Sequence, residues 1–180
     1  MTKSLFSRPI RVEAIPREGL ETRIEADSAE RAALAAFNGL PAIAALAASF
    51  SLNHGAGGTI VLHGALDAEV TQTCVVTLEP FETTISALID LRFAPPDETA
   101  RRGGPSGVAE EIDVGEEDEP DPIVDGAIDL GAAASEFLTL NLDPYPRKPG
   151  AVFQPPVSSD EAPDASPFSA LAARKKDGLS

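Results

Sequence analysis

Residues 60–93 read IVLHGALDAEVTQTCVVTLEPFETTISALIDLRF, and the fold turns on how they alternate. Ile60, Leu62, Gly64, Leu66, Ala68, Val70, Gln72 and Cys74 share one parity, while His63, Asp67, Glu69, Thr71 and Thr73 share the other. A period of two held this long predicts a strand with one buried face and one wet face. Residues 77–80 turn the chain. Phe81, Thr83, Ile85, Ala87, Ile89, Leu91 and Phe93 then alternate with Glu82, Thr84, Ser86, Asp90 and Arg92. So short a turn joins antiparallel strands. Gly64 predicts a bulge or bend, because a strand of this length must curve. Leu66, Val70, Phe81, Ile85 and Ile89 are assigned to the core.

On the N-terminal side, Ile10, Val12 and Ala14 alternate, as do Leu20, Thr22, Ile24 and Ala26, with Pro16 and Gly19 between them. Two short strands joined by a turn are expected. Asp27 and Glu30 form a capping box for a helix over residues 29–37, stopped by Asn38 and Gly39. Residues 40–49 are rich in alanine, which favours helix. The alternation of Leu46, Ala48, Phe50 and Leu52 favours a strand, and a strand is assigned. On the C-terminal side, residues 123–128 suit a short strand. Asp129 caps a helix from Leu130 that carries Ala133, Ala134, Phe137, Leu138 and Leu142, and Pro144 ends it; Phe137 joins the core. The expected fold class is α+β, a curved antiparallel meander covered by two helices.

The formal charge is −15, and residues 96–127 alone carry −9. That stretch holds Gly103, Gly104, Pro105 and the run Glu116-Glu117-Asp118-Glu119, with few apolar side chains. Such a composition buries too little surface to offset its ordering entropy. A disordered acidic insert at about residues 96–122 is therefore expected within a domain spanning 1–153. Residues 154–180 read as a flexible tail, in which Phe168, Leu171 and Ala172 mark one side of a short terminal helix ending in Arg174, Lys175 and Lys176. No apolar run is long enough to span a bilayer, and the first residues lack the apolar core of a signal peptide. A soluble cytoplasmic protein is expected.

The chain holds one cysteine and two histidines. A single cysteine excludes an internal disulfide and a multi-cysteine zinc site. No phosphate-binding loop, nucleophile elbow or metalloprotease motif occurs. His54, in a glycine-rich turn, and His63, on a wet strand face, read as ordinary surface residues. The acidic run lacks the spacing of a calcium loop. Cys74 reads as a buried small hydrophobe, and nothing near it in sequence lowers its pKa. No catalytic, cofactor-binding or metal-binding residue is assigned, and no enzyme is expected. Strong affinity for bare nucleic acid needs clustered Lys and Arg, which a chain at −15 lacks. The pair Arg147-Lys148 and the cluster Arg174-Lys175-Lys176 are basic but small. The acidic insert suits a basic protein partner or serves solubility.

Three segments carry a resemblance. Thr71-Gln72-Thr73-Cys74-Val75-Val76-Thr77-Leu78-Glu79-Pro80-Phe81 is similar to a strand-turn in the YceD family, the large ribosomal RNA subunit accumulation proteins. Many members have Cys-x-x-Cys-Leu-Glu-Pro-Phe there; this chain has Thr77 in place of the second cysteine. Asp129-Leu130-Gly131, followed by Ser135-Glu136-Phe137-Leu138, resembles the family's helix start, and an acidic spacer of variable length separates the two. The ending Leu142-Asp143-Pro144-Tyr145-Pro146-Arg147-Lys148-Pro149-Gly150 looks like that of alphaproteobacterial members. The resemblance covers roughly residues 5–153. It implies a non-enzymatic role in accumulation of 23S ribosomal RNA, in large-subunit assembly, with the subunit precursor or a basic ribosomal protein as partner. No cofactor and no membrane partner are expected, and the missing cysteine leaves no metal role to carry over from the resemblance. An RNA-processing enzyme and an acidic chaperone of a basic ribosomal protein are the alternatives. Candidate partner contacts are Cys74, Leu78, Glu79, Pro80, Phe81, Arg147 and Lys148.

Overall fold

The computed structural model describes residues 5–96 and 120–153. The expected disorder of the insert and the tail falls almost wholly outside these residues. The fold is α+β. Five strands form the main sheet in the order β2 (Leu20–Glu25), β3 (Ala42–His54), β4 (Ile60–Thr73), β5 (Pro80–Ala94) and β6 (Asp121–Pro122). β4 and β5 pair antiparallel along almost their whole length, from Ile60 opposite Phe93 to Thr73 opposite Pro80. β3 pairs with β4 on the other side, from His54 opposite Ile60 to Ala42 opposite Thr71. The ambiguous alanine-rich stretch is thus strand, because its alternation fits a half-buried sheet position and overrides helix propensity.

The inward parity of β4 is buried as the pattern predicts: Ile60, Leu62, Leu66, Ala68, Val70, Gln72 and then Cys74. On β5, Ile85, Ala87 and Ile89 are buried, whereas Phe81, Leu91 and Phe93 at its ends are only partly covered. Two helices supply the cover. α1 (Ser28–Phe37) lies against β3, and α2 (Leu130–Leu140) lies against β4 and β5. On α2 the buried stripe is Leu130, Ala133, Ala134 and Leu138, so Phe137 sits at its margin, half-buried rather than in the core. α2 ends at Leu140, and the side chain of the capping Asn141 donates back to the Phe137 carbonyl, so the helix stops short of the expected end at Pro144.

The N-terminal pairing differs from the expected hairpin. β1 is only Pro9–Arg11, and the chain then enters a 3-10 turn, Val12–Ala14. β1 pairs not with β2 but with β7 (Ala127–Asp129), in a separate two-stranded sheet. Ile15 turns inward and is buried ahead of Pro16, and that turn prevents residues 8–14 from continuing as one strand. The expected strand over 123–128 is likewise divided. β6 ends at Pro122, Val124 bridges to Ala127 across a turn at Asp125 and Gly126, and β7 follows. β6 runs parallel to β5, so the sheet is not a pure antiparallel meander. Parallel neighbours need a long crossover, and residues 95–120 supply one.

Gly64 is also corrected. The register runs unbroken through it, with Phe50 on one side and Ile89 on the other, and the bulge lies instead between Ile43 and Ala45 of β3. Glycine is required at 64 by close approach: a Cβ there would lie 2.6 Å from the Phe50 ring and 2.9 Å from the Ser49 carbonyl oxygen. Gly64→Ala is expected to destabilise the fold by about 1–3 kcal/mol, through displacement of the ring. An unchanged denaturant midpoint would show that Phe50 yields freely.

Both helix caps also tie down the N-terminal segment. Asp27 and Glu30 complete the predicted capping box. Arg8 grips the Glu30 carboxylate with both guanidinium nitrogens, at 2.7 and 2.9 Å, while lying over the Phe6 ring. The Arg8 hydrogen bond holds the Glu30 carboxyl below its ordinary pKa. Asp129 caps α2 by accepting from the Gly131 and Ala132 amides. Its carboxylate also accepts from the Arg8 amide at 2.7 Å and the Ser7 hydroxyl at 2.6 Å.

Candidate functional site

β4 and β5 are joined through residues 74–79, a tighter structure than their exposure suggests. The Cys74 amide donates to the Glu79 carbonyl at 2.9 Å and the Leu78 amide to the Cys74 carbonyl at 2.8 Å. Leu78 takes a left-handed backbone (φ 60°), an uncommon conformation for a bulky residue, and its side chain is 76% exposed. Val75 is exposed beside it.

A strap descending from α2 closes over this turn. The Val75 amide donates to the Pro146 carbonyl at 2.9 Å, and the Gln72 side-chain amide donates to the Asp143 carbonyl. Lys148 Nζ reaches Glu79 Oε2 at 2.9 Å. This ion pair is exposed at both ends, so it fixes register more than it adds stability. The candidate contacts are therefore neighbours in space: Glu79 with Lys148, and Cys74 beneath both segments. Leu78, Glu79, Pro80, Arg147 and Lys148 are exposed, Phe81 is partly covered, and Cys74 is fully buried.

The thiol has more company than the sequence indicates. The Thr77 hydroxyl bonds to it, the Thr77 amide approaches Sγ at 3.5 Å, and the Lys148 and Val76 amides also point to it. These donors outweigh desolvation and lower the Cys74 pKa to about 7. This corrects the expectation that nothing lowers it: the donors are the local turn amides, Thr77 and an amide 74 positions along the chain. Thr77 and Pro146 are the residues that sequence reasoning missed as site members. The signal for Thr77 was its place three residues after Cys74; Pro146 carried none.

A depressed thiol pKa stabilises the fold above the ordinary thiol range, and that contribution is lost as pH falls through about 7. Thr77→Val should therefore raise the thiol pKa, read by thiolate absorbance against pH. Its stability deficit should widen as pH rises above neutral. A titration midpoint unmoved by Thr77→Val would remove the hydroxyl as the leading cause. Because Cys74 is buried, labelling by a thiol reagent should still be slow in the folded state.

Among the described residues, no group of three or more His, Cys, Asp or Glu side chains is placed to hold a metal ion. His63 lies on the outer sheet face beside Asp90, and His54 approaches the Ile15 carbonyl, so the two are apart. No helix among the described residues is long and apolar enough to cross a membrane. The arrangement is a turn tied to the strap, with exposed apolar and charged side chains at its tip.

No curated protein and no solved structure matches the chain. A family model described as the large ribosomal RNA subunit accumulation protein YceD matches residues 62–173. The matched span begins in β4, takes in the turn, β5, α2 and the strap, and runs on past Phe153 into the terminal residues. It leaves out β1, β2, β3 and α1, so it begins later and ends later than the span of the resemblance.

Proposed function

Because the chain belongs to the YceD family, we propose that it supports accumulation of 23S ribosomal RNA as a non-enzymatic factor in large-subunit assembly. The observation that carries this is the family match over residues 62–173, which includes the turn and strap together. The ending over residues 142–150 favours the alphaproteobacterial branch, and such a factor works in the cytoplasm.

Charge favours how it works. At −15 the chain repels RNA phosphates, and loss of condensed counterions gives it no drive toward bare RNA. A basic ribosomal protein is attracted by the same charge. The turn contributes a contact surface: Leu78 and Val75 give apolar area, while Glu79, Pro80, Arg147 and Lys148 frame it.

Affinity capture of the chain at low salt, with and without ribonuclease, tests this. A basic large-subunit protein should remain bound after ribonuclease treatment and leave as salt rises. Capture that depends wholly on intact RNA, or that yields no large-subunit component, would overturn the reading.

A further inference from the structure

We propose that the groove between the end of β5, the β6–β7 turn and the start of α2 docks a lysine- and arginine-rich segment of a protein partner through an apolar anchor. The partner class rests on the assembly-factor reading; the site rests on the geometry. The groove has a volume of about 400 Å³ and is floored by Leu91, Phe93, Ile128 and Ala132. Leu91 and Phe93 have the inward parity of β5, yet they stay half-buried where the α2 stripe no longer covers them. Val124 stands on the lip, 63% exposed. This is apolar surface in a concave place, the usual make-up of a binding site.

Asp121, Asp125 and Glu136 stand around the rim. Among the described residues, none of the three pairs with a basic side chain; the fourth acid, Asp129, is committed to its cap and to Arg8. Three carboxylates around an apolar floor make the local field negative, which favours a cationic occupant over RNA.

Two segments of the chain itself compete for the groove. Residues 97–119 are net acidic, the wrong charge for an acidic rim. Residues 167–176 have the right chemistry, with Phe168 and Leu171 followed by three bases. Their reach is the obstacle. The strap is pinned at Glu79, and the groove lies at the far end of the 15-residue β5. That is about 45 Å along the strand. Residues 149–167, between the pinned Lys148 and Phe168, span about 63 Å at full extension, whereas a flexible chain of that length averages about 24 Å end to end. An occupant supplied in trans avoids this stretching and bears the ordinary cost of association instead, so deletion of the tail is one arm of the test.

The test uses the full-length chain and a synthetic peptide of repeating Lys-Arg-Leu-Lys, with single-stranded RNA of matched length as a second probe. One variant neutralises the rim (Asp121→Asn, Asp125→Asn, Glu136→Gln). A second removes the same charge from elsewhere on the sheet (Glu21→Gln, Glu69→Gln, Glu82→Gln). Peptide affinity should fall about tenfold or more in the rim variant and about twofold or less in the other. Val124→Ser should weaken binding without changing its salt slope. Equal loss in both triple variants means diffuse attraction, and it overturns the groove. So does preference for the RNA, or tighter peptide binding after deletion of residues 154–180, which would place the tail in the groove. None of these results bears on 23S RNA levels, so the assembly-factor reading stands or falls separately.

Discussion

Leu66→Ala is expected to lower the unfolding free energy by about 2–5 kcal/mol, toward the upper part of that range. Leu66 is 1% exposed at the middle of β4, paired with Ala48 of β3 and Ala87 of β5. Both partners are small, so no neighbouring strand residue can swing in to refill the space. The loss therefore combines lost transfer energy with a persistent cavity. Ile85→Ala should cost less within the same range, because Ile85 is 8% exposed and nearer the strand end, where relaxation is easier. Denaturant unfolding measures both through a lower midpoint at constant slope. A Leu66→Ala midpoint equal to wild type would remove the β4 inward face from the core.

Gly131→Ala should be nearly as damaging, by about 1–3 kcal/mol or somewhat more, for a different reason. A Cβ at 131 would lie 2.7 Å from the Phe6 carbonyl oxygen and 2.9 Å from the Ser7 Cα. These are backbone atoms, so no side-chain rotation relieves the clash. The N-terminal segment must move away, and with it go the Leu130 amide bond to the Arg8 carbonyl and the Arg8 amide bond to Asp129. The Asp129-Leu130-Gly131 sequence thus joins three needs: a cap, a buried anchor and a bare backbone. Asp129→Asn keeps part of the cap but loses charge, and should be milder. A Gly131→Ala protein with wild-type stability would mean that residues 6–8 pack loosely against α2.

What the sequence made legible follows from the range of each interaction. β4 and β5 were readable because a period of two persisted over both and the turn between them was short. α1 was readable because Asp27 and Glu30 are a local signal. The pairing of β1 with β7 joins Pro9 to Asp129, and no local pattern encodes such a partner. The parallel return of β6 has the same cause. Gly64 was noticed, but no bulge lies there, and the ring that excludes a side chain belongs to the neighbouring strand. At the turn, Cys74, Leu78, Glu79 and Lys148 were picked out from separate stretches, and the structure brings them together. The donors that lower the thiol pKa were hidden, because Thr77 acts through turn geometry and the Lys148 amide arrives from the distant strap.

The most direct measurement is the ratio of 23S to 16S ribosomal RNA in cells of the source organism depleted of this protein. Family membership leads us to expect a fall in that ratio, restored by the wild-type chain and by Cys74→Ala. A ratio unchanged on depletion, in cells where loss of the protein is verified, would contradict its assignment to large-subunit RNA accumulation.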